Sequence, residues 1–287
     1  MKIFKKLKLG IVGHGFVGKA TDWGFNTKTE KFIVDPLLNT TIDDLKAFNP
    51  VIVFICVPTP MGKDGSQDSL ILEKVVKELQ EKCPESIKVI KSTVLPSILE
   101  KIDKYANKIV YNPEFLREKH ANLDFQNSEM IILGGNRNIS TKVSEAYLYH
   151  SRCKTKDHIF TDLQTASLIK YSLNTFLATK VIYFNELHTI YEKLGVLDSW
   201  EAIIDIISKD KRIGASHMSV PGHDGRKGFG GACFPKDSIA LAKYAESLDV
   251  ELSLLKSAIK TNNEIRSKYD VLDKRESEQN VSFDDKI

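Results

Sequence analysis

The sequence predicts an α/β fold: a doubly wound parallel sheet followed by a long connecting helix and a mainly helical second domain. Three observations carry this. Short apolar runs alternate with helical patterns over the first half of the chain, as in a parallel sheet with crossover helices. The run at 51–57, Val-Ile-Val-Phe-Ile-Cys-Val, is apolar on both faces, as a strand covered on both sides must be. From 161 to 194 one helical pattern runs with few breakers, long enough to leave the first domain.

Taken in order, residues 7–12 read as a strand and 15–24 as a short helix. Strands follow at 31–35 and 51–57, then a helix of good helix formers at 69–82. Residues 87–91, 108–111 and 130–133 read as further strands, with a helix at 98–105. This gives a first domain over 1–160. The second, over 161–272, holds helical patterns at 161–194, 199–208 and 238–268. The polar, charged stretch 273–287 is expected to fray as a tail.

Composition removes several function classes. A chain of 287 residues with 42% hydrophobic and 28% charged residues reads as an ordinary globular protein of about two domains. A net charge of +3, with no basic block interleaved with aromatics, argues against nucleic acid as partner. No stretch approaches the ~20 apolar residues that cross a membrane, and the basic start has no signal-peptide apolar core. Cys56, Cys83, Cys153 and Cys233 form no CxxC pair or zinc spacing, so free thiols and no metal are expected, in a cytoplasmic setting.

The first motif is Gly13-His14-Gly15-Phe16-Val17-Gly18. Alone it is weak, but a strand precedes it, a helix follows, and Asp35 ends the next strand, which is the context of a Rossmann-like dinucleotide fingerprint. The backbone N–H groups at the helix start would face the pyrophosphate. Asp35 would accept from the adenosine ribose hydroxyls and repel a 2′-phosphate, which favours NAD over NADP. His14 fills a variable position of the motif.

Val57-Pro58-Thr59-Pro60 follows the buried strand, where open parallel sheets hold their ligands. It could wall the cofactor or be only a rigid turn. Ser92 and Thr93 stand at another strand end, where Thr93 could hold a water or a cofactor oxygen, or be merely solvated. In Asn112-Pro113-Glu114-Phe115-Leu116-Arg117-Glu118, Glu114 and Glu118 would share a face if the turn were helical. Either could act as a base, although a solvated face with an internal Arg117 pair reads as well. Lys170 and Asn174 are four apart on the long helix and point the same way, a plausible donor pair for an oxyanion, although a lysine there is more often a snorkelling side chain.

Gly228-Phe229-Gly230-Gly231-Ala232-Cys233-Phe234-Pro235-Lys236-Asp237 places one thiol on a glycine-rich loop with Lys236 and Asp237 just after it. A nearby cation or helix start favours thiolate, the nucleophilic form. Free cysteine is also common as a small buried residue, but three glycines make a poor core strand.

In this order these motifs resemble the UDP-glucose/GDP-mannose dehydrogenase family. GIVGHGFVG, VPTP with DGSQD, KSTV, NPEFLRE, IKYSLNTF, DKRIG, GFGGACFPKD and TNNEIR carry the resemblance from the Gly loop to about Arg266. It implies oxidation of a primary alcohol of a nucleotide sugar, UDP-glucose foremost, to a carboxylate with two NAD⁺ reduced. Carried over by motif, Cys233 is the nucleophile that forms a thiohemiacetal and then a thioester. Lys170 and Asn174 stabilise the oxyanion, Asp237 orients a water, Glu114 is a base and Thr93 holds a water. The cofactor set is Gly13, Gly15, Phe16, Val17, Gly18, Asp35, Val57, Pro58, Thr59, Ser92, Thr93 and Glu118. Glu114, Phe115, Leu116, Lys170, Asn174, Phe229, Gly230 and Lys236 line the sugar-nucleotide site, and Arg212 reaches across a homodimer formed through the helix at 238–268.

Family members usually continue into a third domain that helps clamp the nucleotide. Against that pattern, the resemblance leaves three expectations: Arg226 and Lys227 substitute for part of the clamp, a separate chain supplies the domain, or the chain is an inactive dinucleotide-binding paralogue. A two-electron β-hydroxyacid dehydrogenase resembles the chain too, in its dinucleotide domain, helical domain and Lys/Asn pair, but needs no loop cysteine.

Overall fold

The computed structural model describes residues 6–25 and 28–283. The basic opening at 1–5 and the end of the tail at 284–287 lie outside the described residues. Two compact units emerge: residues 1–59 with 68–170, and residues 60–67 with 171–287.

The first unit contains one seven-stranded sheet, ordered β2-β1-β3-β4-β5-β6-β7. The strands are β1 (Leu7–Val12), β2 (Thr29–Val34), β3 (Ile52–Ile55), β4 (Ile87–Ile90), β5 (Ile109–Tyr111), β6 (Ile131–Gly135) and β7 (His158–Thr161). Neighbours pair in parallel except β5 with β6, which is antiparallel. Its helices are α1 (Phe16–Gly24), α2 (Ile42–Phe48), α3 (Leu70–Lys82), α4 (Pro96–Asp103), α5 (Ala121–Gln126) and α6 (Arg137–His150). Every residue of β3, β4 and β5 is buried, including Lys88 in β4. One apolar cluster includes Val53, Ile55, Ile90 and Leu99, and the other includes Ile11, Phe54, Val89 and Leu133. Alternating residues of each central strand thus feed separate cores on the two faces, the layering a doubly wound sheet requires. Strand order reverses at β1, whose neighbours are β2 and β3. The crevice beyond the carboxyl ends of β1 and β3 is therefore where such sheets bind ligands.

The helix α7 (Leu163–Leu194) runs for 32 residues, and the division between units falls within it, after Lys170. The second unit continues with α8 (Trp200–Ser208), α9 (Phe234–Glu246), α10 (Ser253–Arg266) and α11 (Lys274–Glu278). Its apolar clusters join Met61, Ile239, Ile259, Val281 and Phe283; Ala178, Ile182, Phe229 and Ala258; and Phe184, Trp200, Met218 and Val220.

Three expectations change. The helical stretch at 238–268 is two helices, α9 and α10, separated at 247–252. The stretch 273–283 is not a frayed tail: Asp273 and Glu276 form a capping box at the start of α11, and Val281 and Phe283 are core residues. The loop 60–67 belongs with the second unit, where Met61 N–H donates to the Gln279 carbonyl at 3.0 Å. Among the described residues, no helix is long and apolar enough to cross a membrane.

Candidate active site

Candidate residues occur in both units. In the first, the Gly loop joins β1 to α1. Gly13 has φ +90°, and a Cβ there would sit 2.6 Å from the Cys56 carbonyl oxygen. A Cβ on Gly18 would sit 2.0 Å from the Gly13 oxygen, so only glycine lets α1 approach the strand end this closely. A Cβ on Gly15, by contrast, would meet nothing within 4 Å. Gly15 is the N-cap of α1 and supplies no capping side chain, which leaves the helix start to an anion. Phe16 and Val17, the first residues of α1, are half-buried.

Asp35 follows β2. Its Oδ2 accepts from His14 N–H at 2.7 Å and its Oδ1 from Leu37 N–H at 2.9 Å. His14 thereby ties the Gly loop to the acidic residue through its backbone, a role its side chain did not advertise. An open loop at a helix start with a fixed carboxylate beside it fits NAD: the loop amides would hold the diphosphate and Asp35 the adenosine ribose.

Beyond β3 and β4, side-chain hydroxyls lace two strand-end loops together. Thr59 Oγ1 donates to the Thr93 carbonyl at 2.9 Å, and Ser92 Oγ donates to the Val57 carbonyl at 2.6 Å. Val57, Thr59 and Thr93 are buried, whereas Pro58 is exposed. Below them lies a buried polar network that the motifs did not reveal. Lys91 Nζ donates to Asn112 Oδ1 at 3.0 Å, and Tyr147 OH donates to the same oxygen at 2.7 Å. Asn112 Nδ2 in turn donates to the Ile132 carbonyl at 2.8 Å. Burial pushes the Lys91 pKa down, and the network fixes the turn leading to Glu114.

That turn is not helical, so Glu114 and Glu118 do not share a helical face; the short 3₁₀ turn begins only at Glu118. Glu114 is buried and Glu118 exposed. Glu114 Oε2 accepts from Leu116 N–H at 2.6 Å, and Oε1 lies 3.6 Å from Lys170 Nζ. Lys170, 3% exposed, donates to the Glu114 carbonyl at 2.5 Å and lies 5.0 Å from the centre of the Phe115 ring. Leu116 packs half-buried against the core. Arg117 pairs with Asp124 at 2.7 Å.

In the second unit, Cys233 is the N-cap of α9. The backbone dipoles at a helix start favour an anion there. The other thiols lack this setting: desolvation pushes Cys56 up to about 12 and raises Cys83 and Cys153. One turn after Cys233, Asp237 is 0% exposed and its N–H donates to the Cys233 carbonyl at 2.9 Å. Its Oδ2 accepts from Asn174 Nδ2 at 2.7 Å and its Oδ1 from Lys236 Nζ at 2.6 Å. The structure thus gathers Asn174, Lys236 and Asp237 at the helix turn that Cys233 opens.

The remaining expected residues have partners within the second unit. The Phe229 side chain, 4% exposed, is a core residue beside Ala178, Ile182 and Ala258. A Cβ on Gly230 would lie 1.8 Å from Arg266 Nη2, so that glycine accommodates a guanidinium of its own unit. Arg212 is exposed and pairs with Asp210. Arg226 donates to the Val271 carbonyl at 2.8 Å, and Lys227 pairs with Glu192 at 3.0 Å. Among the described residues, no cluster of three or more His, Cys, Asp or Glu side chains could hold a metal ion.

Residues 36–151 match the NAD binding domain of the UDP-glucose/GDP-mannose dehydrogenase family, and residues 164–264 match its central domain. UDP-glucose 6-dehydrogenase of Rickettsia bellii is 32% identical over 84% of this chain and 56% of its own length. UDP-glucose 6-dehydrogenase TuaD of Bacillus subtilis is 34% identical over 85% of this chain and 53% of its own. The chain therefore spans about half the length of these relatives. A solved UDP-glucose dehydrogenase from Pyrobaculum islandicum superposes with a TM-score of 0.77 and 25% identity, covering 90% of this chain and 68% of that one. The fold and the two domain matches lead to one assignment: the chain belongs to the UDP-glucose/GDP-mannose dehydrogenase family.

Proposed function

We propose that the chain acts as an NAD-dependent nucleotide-sugar 6-dehydrogenase, with UDP-glucose as the leading substrate and UDP-glucuronate as the product. The observation that carries this is the turn at the start of α9, where Cys233 opens the helix and buried Asp237 is bonded to Asn174 at 2.7 Å. A two-electron alcohol dehydrogenase has no use for a thiol at such a position.

NAD, when bound, supplies the acceptor for one hydride in each of two oxidations. Gly13, Gly15, Gly18 and Asp35 would hold it, with Val57, Pro58 and Thr59 walling the cofactor. The chain's own residues handle protons and the carbonyl carbon. As the C6 alcohol becomes an aldehyde, its hydroxyl proton passes to a base, for which Glu114 is the candidate. Cys233 Sγ then adds to the aldehyde carbon, and the carbonyl oxygen becomes the thiohemiacetal hydroxyl. Lys170 and Asn174, one turn apart on α7, are the donors for negative charge on that oxygen. The second oxidation leaves a thioester on Cys233. Water, oriented by Asp237 and Thr93, cleaves the carbon–sulfur bond and returns the thiol. In sum, alcohol, water and two NAD⁺ give carboxylate, two NADH and three protons.

Pairing with a second copy is part of this reading. Phe176, Tyr183 and Ile190 recur every seven residues along α7 and are 64%, 57% and 55% exposed. A stripe with that spacing suits a helix–helix seam. It offers a second candidate face beside the stretch 238–268, where α9 spends most of its side chains inside its own unit.

The test is to mix the protein with NAD⁺ and a panel of nucleotide sugars and to follow NADH. Turnover with at least one sugar is expected, and none across the panel counts against the reading.

A further inference from the structure

The loop that carries Cys233 is held by Glu276, Arg266 and Asn262, none of which is given a role in the reaction. Gly231, two residues before the thiol, donates its N–H to Glu276 Oε1 at 3.0 Å. The same oxygen accepts from Arg266 Nη2 at 2.7 Å, and Arg266 Nη1 donates to Asp224 Oδ2 at 2.8 Å. Glu276 is 0% and Arg266 2% exposed. Asn262 closes the other side: its Oδ1 accepts from Phe229 N–H at 2.7 Å and its Nδ2 donates to the Phe229 carbonyl at 3.0 Å. Gly230 lies so close to this pair that a Cβ would fall 2.4 Å from Glu276 Oε1. Glu276 is itself fixed, because its other carboxylate oxygen accepts from Asp273 N–H at 2.8 Å in the capping box.

From this geometry we infer that Glu276, acting with Arg266, is a positioning residue for Cys233: it sets the backbone of the thiol's loop from a helix that follows α10. A buried carboxylate that accepts from both a guanidinium and a loop amide is a strong, directional tie. Fixing the approach of a nucleophile to within a fraction of an ångström is worth orders of magnitude in rate. The inference rests on the reading of Cys233 as the nucleophile, and the experiment separates the two.

The full chain is compared with Glu276→Ala and with Glu276→Gln, which keeps an oxygen for the Gly231 N–H. Hydrogen exchange of residues 228–231, kcat for NADH release and KM for NAD are measured. The alanine variant is expected to exchange at least tenfold faster in that loop and to lose at least tenfold in kcat, with KM for NAD unchanged. Glutamine should give intermediate values. If alanine does not fold, glutamine alone must still lower kcat severalfold at unchanged KM for NAD. Unchanged loop exchange, faster exchange with unchanged kcat, or an equal change in KM for NAD overturns the inference. If the wild type oxidises no nucleotide sugar, the proposed function fails. The positioning role is then judged by loop exchange and by iodoacetamide alkylation of Cys233; if neither changes in the variants, it is overturned.

Discussion

Asp35 and Cys233 each take their chemistry from the backbone that holds them. Asp35 keeps its carboxylate beside the Gly loop through His14 N–H and Leu37 N–H. Replacing it with alanine should weaken NADH binding and relieve repulsion of a 2′-phosphate. Hydrogen bonds to a charged group contribute about 1.5–3 kcal/mol, and each 1.4 kcal/mol is a factor of about ten. The ratio of NADPH to NADH dissociation constants should therefore fall at least tenfold in Asp35→Ala; an unchanged ratio would remove Asp35 from the ribose site. Both settings were legible in the sequence: for Asp35, a Gly-rich loop after a strand and an acid at the next strand end; for Cys233, a glycine-rich run followed by a lysine and an acid. Glu276 was not. Its partners, Gly231 and Arg266, are 45 and 10 residues away in the chain, and nothing in a charged segment distinguishes a buried carboxylate from a solvated one. The signal that could have found its helix was Asp273-x-x-Glu276, the spacing of a capping box.

Elements were read well where period and composition agreed. The strand β3 is apolar at every position because both faces are covered, and α7 shows a long uninterrupted pattern. Errors arose where geometry departs from composition. The break between α9 and α10 has neither glycine nor proline; the chain turns there through Asp249 at φ +56°, a conformation an aspartate tolerates but does not announce. The strand β7 is only four residues long and runs almost directly into α7, too short for a strand period to show, and its last residue, Thr161, falls within the helical pattern. The packing of α10 against the Cys loop carries a pH signature. Burial works against the Asp224 carboxylate, yet hydrogen bonds from Arg266 and from Arg226 N–H hold its pKa below the ordinary value. Its folded pKa thus lies below the unfolded one, near 3.9. The stability it contributes is present above that value and lost as pH falls through the folded pKa. Melting temperature should drop on acidification below about pH 4, and Asp224→Asn should flatten that drop. An equally steep drop in the variant would show that Asp224 plays no part.

At the scale of the whole molecule, the chain divides into an α/β unit and a mainly helical unit, and the proposed nucleophile Cys233 lies in the second. Two copies are also expected to pair along α7. Sedimentation should find a dimer, and glutamate at both Phe176 and Tyr183 should yield monomers that still bind NAD; an unchanged dimer would move the interface elsewhere. The central claim is that one thiol carries the sugar through both oxidations. Its most direct test is the number of NADH formed per nucleotide sugar consumed, in the wild type and in Cys233→Ser. The account predicts two NADH per sugar with a carboxylate product, and no net acid from the serine variant. One NADH per sugar, or normal acid formation without the thiol, would contradict it.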